Sequence, residues 1–279
     1  MTSPARIDLH THSSVSDGTD SPEELVAAAA RSGLDVVALT DHDTWDGIDR
    51  AGRAAPAGLE VVVGIEISCG SAGRAVHLLG YGGDRTDPAL LAELDRVRTA
   101  RRTRVPDMLA KLAALGLPLS TEAVTAAAHG TPSIGRPHLA DAMVAAGYVA
   151  DRDEAFADYL AEGGPAYVDR YAPEVSAAIG LVRGAGAVPV LAHPWGRESR
   201  EVLGEERLLD LLEVGLAGWE ADHPEHSPAE GAELHRLARR AGALATGSSD
   251  YHGTGKRNNA LGCRTTDPQV YARLRELMG

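Results

Sequence analysis

Ile7-Asp8-Leu9-His10-Thr11-His12 and Val36-Val37-Ala38-Leu39-Thr40-Asp41-His42-Asp43 are built alike: a short strand that ends in histidine, joined in the second by two carboxylates. Between them, Ser21-Pro22-Glu23-Glu24 has the form of a capping box with Pro at the first helical position. The Ala-rich helix it opens stops at Gly33, the residue suited to a left-handed C-terminal cap. An uninterrupted apolar strand such as 36–39 is expected of a parallel sheet covered on both faces. Working outward, 61–65 and 76–79 read as the next strands, and 188–192, 216–220 and 244–247 as the last three. Helices are expected over 173–183, 201–214 and 228–241, and Asp267-Pro268 opens a final one. The repeated strand-then-helix order predicts an α/β fold with a parallel sheet, and seven such units predict a barrel rather than an open sheet.

The pattern breaks near Asp87-Pro88. From there helical periodicity dominates: Asp87, Pro88 and Glu93 begin one helix, and Met108, Leu109, Leu112 and Leu115 form an apolar stripe ended by Gly116. Thr121 begins a third helix, and 137–146 is a fourth. The expected organisation is a barrel over 1–86 and 167–279, with a small inserted helical domain over 87–166 near its mouth.

Composition narrows the function classes. A chain of 279 residues can bury a sizeable core without disulfides, and its two cysteines, Cys69 and Cys263, make neither a disulfide framework nor a thiolate zinc site. With 27 Lys and Arg against 40 Asp and Glu, a net charge of −13 argues against binding along duplex DNA. No apolar run reaches the ~18 residues of a membrane span, and the opening MTSPARIDLH lacks the features of a secretory signal, so a cytoplasmic protein is expected. Neither Gly-x-Ser-x-Gly nor a Gly-rich phosphate loop with Lys is present. The tryptophans Trp45, Trp195 and Trp219 lie beside polar strand ends, where packing and substrate stacking are both open readings.

The polar residues fall in register with the strands. The chain places His10 and His12, Asp41 to Asp43, Glu66, His77, His193, Glu220 to His223, and Asp250 with His252 at or near the ends of seven predicted strands. In parallel barrels that end is where active sites are built. One histidine there would more often be structural, but carboxylates crowded onto one rim repel unless cations sit between them. Imidazole and carboxylate without thiolate suit two or three divalent ions, Mn²⁺ first, with Fe²⁺ or Zn²⁺ as alternatives.

The segments Asp8-Leu9-His10-Thr11-His12-Ser13, Ser16-Asp17-Gly18, Leu39-Thr40-Asp41-His42-Asp43, Gly64-Ile65-Glu66, Ala192-His193-Pro194 and Ser248-Ser249-Asp250-Tyr251-His252 resemble, in order, those of the polymerase and histidinol phosphatase (PHP) superfamily. The resemblance implies a distorted (β/α)7 barrel, up to three metal ions and phosphoesterase chemistry. It further implies that His10, His12, Glu66 and Asp250 hold one ion, and that Asp17, His42 and His252 hold a second. His77 and His193 would hold a third, with Glu66 bridging. Ser133-Ile134-Gly135-Arg136-Pro137-His138 and Trp219-Glu220-Ala221-Asp222-His223-Pro224 are similar to the subfamily that hydrolyses nucleoside 3′,5′-bisphosphates and the 5′ ends of short RNAs.

The expected reaction is attack on phosphorus by a metal-bound hydroxide, with the ions balancing charge on the phosphoryl oxygens. The expected partner is a small phosphorylated substrate, a nucleotide or short RNA. Arg136 and His138 would reach a phosphate from the insertion, against a solvent-facing helix start. His223 would contact phosphate or protonate the leaving oxygen, against a surface-loop histidine. Lys256 would contact phosphate, against a mobile loop charge. Asp41 and Asp43 are read as partners that orient ligating imidazoles, and His129, His226 and His235 are assigned no special role. A histidinol-phosphatase-like monoesterase, a C–N hydrolase of the amidohydrolase type and a catalytically silent module are the competing readings.

Overall fold

The computed structural model of the chain describes residues 4–131, 133–196 and 199–279; of the opening quoted above, residues 1–3 lie outside it. Seven strands neighbour one another in chain order: β1 (Ile7–Thr11), β2 (Val36–Leu39), β3 (Glu60–Ser71), β4 (Arg74–Gly82), β5 (Ala187–Leu191), β6 (Gly218–Asp222) and β7 (Leu244–Gly247). Helix α1 (Pro22–Arg31) follows β1 and carries the expected capping box, with the Ser21 hydroxyl accepting from the Glu24 N–H and the Glu24 carboxylate from the Ser21 N–H. It is closed by Gly33 at φ +72°. Helix α2 (Ile48–Ala54) connects β2 to β3.

The sheet nearly closes into a barrel. At the seam, the His12 N–H donates to the Tyr251 carbonyl and the Thr266 N–H to the Ile7 carbonyl, both at 2.8 Å. The buried Asp8 carboxylate accepts from the N–H groups of Ser249 and Gly262, both at 2.9 Å. Ile7, Val36, Val62, Tyr81 and Val190 cluster with Tyr271 and Leu274 of the last helix, and with no other helix among the described residues. That cluster is the barrel interior.

The expected all-parallel sheet is corrected at β4. The pairs β1–β2, β2–β3, β5–β6 and β6–β7 are parallel, but β4 runs antiparallel to both β3 and β5. The reason is local: Ala72 and Gly73, both in left-handed backbone, turn β3 directly into β4. A parallel connection would need a crossover of a dozen or more residues. The reversal brings the beginning of β4, and so His77, to the rim reached by the C-terminal ends of the other strands.

Two bulges re-aim side chains at that rim. Asp8 stands opposite Val37 but Thr11 opposite Leu39, an extra residue in β1; Glu220 stands opposite Thr246 but Asp222 opposite Gly247, an extra residue in β6. A bulge breaks strict alternation, and here Leu9 lies in the interior cluster while the neighbouring His10 also faces the interior mouth.

Between β4 and β5 lie α3 (Pro88–Thr103), α4 (Val105–Ala114), α5 (Thr121–Ala127), α6 (Arg136–Ala145), α7 (Arg152–Ala155), a π-helical turn at Phe156–Leu160, and α8 (Val175–Gly184). Leu90 and Leu94 of α3 join the core that surrounds the barrel, whereas Met108, Leu112, Val124, Leu139 and Met143 form a separate apolar cluster. Leu115, expected in the apolar stripe of α4, is 45% exposed because the helix ends at Ala114 and the chain turns at Gly116. The remaining helices are α9 (Glu205–Val214), α10 (Pro228–Ala241) and α11 (Pro268–Met278). None among the described residues is long and apolar enough to cross a membrane.

Candidate active site

Glu66, near the middle of β3, stands at the centre of the mouth. Its Oε1 lies 2.9 Å from His77 Nδ1, 3.3 Å from His193 Nε2 and 3.4 Å from His10 Nε2, and its Oε2 lies 3.0 Å from His42 Nδ1 and 3.1 Å from His12 Nε2. Asp250 Oδ1 is 3.5 Å from Nε2 of both His10 and His12. Beside this group, Asp17 Oδ1 is 3.3 Å from His252 Nε2, and its Oδ2 is 3.6 Å from His42 Nε2. All nine side chains expected as metal ligands therefore meet in one volume, and only His77 is more than marginally exposed.

Local structure sets the rings. His10 Nδ1 faces Glu220 Oε1 at 3.1 Å, His12 Nδ1 faces the Ser16 hydroxyl at 3.3 Å, and His252 Nδ1 donates to the Asp250 carbonyl at 2.8 Å. In each ring Nδ1 is thus anchored and Nε2 is left to face the centre, the arrangement that fixes a ligating tautomer. His193 and Asp250 hold left-handed backbone, at φ +25° and +51°. Non-glycine residues seldom adopt it, and such strain gathers at functional sites.

The electrostatics match a cation site. Burial alone would raise Glu66, Asp17 and Asp250, yet the imidazoles around them, and Lys256 beside Asp250, hold all three carboxyls well below their usual range. Burial, reinforced by neighbouring imidazoles, pushes His12 and His77 down to about 3, which leaves them neutral, the form that ligates metals. His42 Nδ1 and His77 Nδ1 are buried without a hydrogen bond, although each lies about 3 Å from a Glu66 oxygen. A shared cation reconciles such facing lone pairs. Donor–donor spacings of 3.0–3.5 Å also match the edges around an ion with bonds of about 2.0–2.2 Å. Four-residue and three-residue sets that could hold an ion include His12, Asp17, His42 and His252; His10, His12 and Asp250; and His42, Glu66 and His77.

Several expectations change. Asp41 and Asp43 touch no imidazole: Asp41 accepts from the Ser13 N–H and from the hydroxyls of Ser13 and Ser16. Asp43 accepts from the Ser68 N–H and hydroxyl and from Arg101 Nε at 2.8 Å. Asp41 thus reaches His12 only through Ser16, and left-handed backbone at Asp43 (φ +58°) turns that residue toward α3. His138, expected to contact phosphate, has both ring nitrogens committed: Nδ1 accepts from the Gly135 N–H and Nε2 donates to the Ser16 carbonyl, both at 2.9 Å. His223 is no surface residue but is buried, its Nδ1 accepting from the Glu225 N–H and its Nε2 3.5 Å from Asp250 Oδ2. Lys256 forms an ion pair with Asp250 and lies 3.6 Å from Glu225. Arg136 donates to the Leu160 carbonyl and lies over the rings of Phe156 and Tyr167. The indoles of Trp195 and Trp219 donate to backbone carbonyls within the core, which settles both as packing residues.

Two sets of residues were not singled out from the sequence. Glu220, placed by the sequence at a strand end and within the Trp219–Pro224 segment but given no role there, is fully buried and binds the His10 ring, the His193 N–H and the Ser248 hydroxyl. Arg101, Arg104 and Arg170 gather with Arg136, the other three each near enough to Arg104 to repel it, and Arg101 is bound to Asp43. Burial, then repulsion from Arg170, Arg136 and Arg101, pushes Arg104 down to about 8, and burial with Arg101 pushes Arg170 to about 10. No motif marks this convergence, because the four arginines come from α3, its C-terminal cap, α6 and the irregular segment before α8.

A barrel mouth that converges imidazoles and carboxylates in this way has the form of a metal-dependent hydrolase site. The PHP domain model matches residues 8–118. The chain is 34% identical over 259 residues to a 3′,5′-nucleoside bisphosphate phosphatase of Chromobacterium violaceum, covering 92% of this chain and 91% of that one. It is 33% identical over 248 residues to a 5′-3′ exoribonuclease of Haemophilus influenzae, covering 88% and 90%. A Bifidobacterium adolescentis protein crystallised under the description of a metal-dependent phosphoesterase superposes with a TM-score of 0.93 at 35% identity, over 99% of this chain and 98% of that one. The chain belongs to the PHP family of phosphoesterases.

Proposed function

We propose that the chain hydrolyses a phosphate ester of a nucleotide that carries a second phosphate, a nucleoside 3′,5′-bisphosphate or the 5′-phosphorylated end of a short RNA. The observation that carries this reading is the arginine cluster beside the histidine and carboxylate centre. Arg101 binds Asp43, the neighbour of His42, so the two charged loci adjoin. Arg101, Arg104, Arg136 and Arg170 lie near enough to repel one another, an accumulation of positive charge that a phosphate dianion would neutralise by paired hydrogen bonds that suit guanidinium geometry. The names of the two curated relatives agree with it.

In this reading His10, His12, Glu66 and Asp250 hold one divalent ion, Asp17, His42 and His252 a second, and His77 and His193 a third that shares Glu66. Mn²⁺ is the first candidate, with Fe²⁺ or Zn²⁺ as alternatives. When bound, such ions ionise a water near neutral pH and offset charge on the phosphoryl oxygens. Glu220 holds His10 in the tautomer that presents Nε2. His223 accepts the Glu225 N–H at Nδ1, and in this reading its Nε2 serves a phosphate or leaving oxygen. Arg136 and Lys256 bring positive charge to the phosphate oxygens. Residues 87–166 act as an inserted helical domain that supplies Arg101, Arg104 and Arg136, and the setting is the cytoplasm.

The test is a panel with added Mn²⁺: adenosine 3′,5′-bisphosphate, a 5′-phosphorylated oligoribonucleotide, histidinol phosphate, p-nitrophenyl phosphate and a hydantoin. The expected result is phosphate from the bisphosphate and a nucleoside 5′-monophosphate from the oligoribonucleotide, with kcat/KM at least about tenfold above histidinol phosphate and p-nitrophenyl phosphate. Release from none of the phosphorylated compounds overturns the proposal, and a preference for histidinol phosphate overturns its second-phosphate part.

A further inference from the structure

The loop that carries Asp17 is unusual in being buried: Ser13, Val15, Ser16 and Asp17 are all withdrawn from solvent. A buried loop must find partners for its carbonyls. Three consecutive ones find them outside the barrel. The Val15 carbonyl accepts from the Thr131 hydroxyl, the Ser16 carbonyl from His138 Nε2 at 2.9 Å, and the Asp17 carbonyl from Arg152 Nη1 at 3.0 Å. All three donors lie on the helical segment between β4 and β5.

Each donor is itself held in place. Nδ1 of His138 accepts the Gly135 N–H at the start of α6, so the imidazole is neutral with its proton committed to Ser16. Arg152 grips Asp141 of α6 with Nε at 2.6 Å and Nη2 at 2.7 Å, which leaves Nη1 for the Asp17 carbonyl. From the barrel side, the Gly18 N–H closes the loop onto the Ser13 carbonyl at 3.0 Å. Asp17 is therefore fixed between two bodies, and its carboxylate lies between His42 and His252.

We propose that Thr131, His138 and Arg152 form a positioning clamp: by holding three successive carbonyls, the helical segment sets the location of Asp17 and with it the affinity of the Asp17–His42–His252 ion site. This rests on the functional reading above in assigning an ion to that site. The clamp residues touch neither substrate nor ion; they act through the loop. In this arrangement, loosening the helical segment from the barrel weakens one ion site and leaves the His10–His12–Glu66–Asp250 site intact.

The experiment is Mn²⁺ binding to the full chain, followed by the spin-resonance signal of free ion, for wild type, Thr131→Val and Arg152→Met. Thr131→Val removes a hydroxyl at nearly constant volume, and circular dichroism checks that each variant is folded. The expected result is that one class of Mn²⁺ binds about 10- to 100-fold more weakly in each variant while the remaining ions bind as in wild type. A fall in kcat with KM little changed, and partial recovery of ion affinity when tens of millimolar guanidinium is added to Arg152→Met, are expected beside it. Folded variants that bind Mn²⁺ as wild type does overturn the clamp, whatever the activity. Equal weakening of every ion class also overturns it, because that marks a general loss of structure. Wild type that binds ions but hydrolyses none of the phosphoesters counts against the functional reading alone.

Discussion

His10 Nδ1 and Glu220 Oε1 meet at 3.1 Å, both side chains fully buried, across two strands that each carry a bulge at that level. Glu220 also receives the His193 N–H at 2.8 Å, so one carboxylate orients residues expected at two different ion sites. Glu220→Gln keeps size but replaces an acceptor by an amide that faces His10 Nδ1. The expected outcome is Mn²⁺ affinity and kcat each lower by about 10- to 100-fold, read by ion titration and steady-state kinetics. Unchanged affinity would remove Glu220 from the site.

Arg104→Gln separates the arginine cluster from the metal centre. Loss of a charge-assisted hydrogen bond of about 1.5–3 kcal/mol corresponds to a KM some ten- to hundredfold higher for the bisphosphate. Turnover of p-nitrophenyl phosphate, which has no second phosphate, stays near wild type. The free protein is expected to melt no lower than wild type, because the substitution relieves repulsion from Arg170, Arg136 and Arg101. Equal losses on both substrates would show that the cluster serves structure rather than binding.

Gly18 is set against the backbone of the loop it closes: a Cβ there would run into the His12 carbonyl oxygen and sit 3.0 Å from the Ser13 carbonyl carbon. Both obstacles are backbone, so Gly18→Ala displaces the loop rather than a flexible side chain. A cost of about 1–3 kcal/mol is expected, seen as a lower melting temperature with weakened Mn²⁺ binding. A variant with wild-type melting and ion binding would contradict the close approach.

Asp41 provides a pH test. Burial pushes its carboxyl up to about 6, despite the hydrogen bonds from Ser13 and Ser16. The folded value lies above the unfolded one of about 3.9, so the proton binds the folded state more tightly. Its favourable contribution is complete below about pH 4 and is lost as pH rises through 6. Relative to wild type, chelator-treated Asp41→Asn is therefore expected to gain stability between pH 4 and pH 7, by an amount on the order of 2–3 kcal/mol. Paired thermal melts across that range measure it, and a difference independent of pH would refute it.

The amino-acid sequence by itself determined the strands and most helices, because caps such as Ser21-Pro22-Glu23-Glu24 and apolar runs such as 36–39 act over a few residues. It also marked which side chains crowd the mouth, since most of them fall at or near the ends of strands that local sequence announces. What only the tertiary structure decided depends on contacts between distant segments. The hairpin at Ala72-Gly73 reverses β4 and carries His77 to the rim from the other direction. Bulges in β1 and β6 turn His10 and Glu220 toward each other, and a register shift is a property of two paired strands rather than of one. His138 found backbone partners instead of facing a phosphate, because the buried Ser16 carbonyl needed a donor and the folding of α6 onto the loop supplied it. Arg101, Arg104, Arg136 and Arg170 likewise share no spacing in the chain; only packing brings their charges together, where burial and mutual repulsion push Arg104 and Arg170 down.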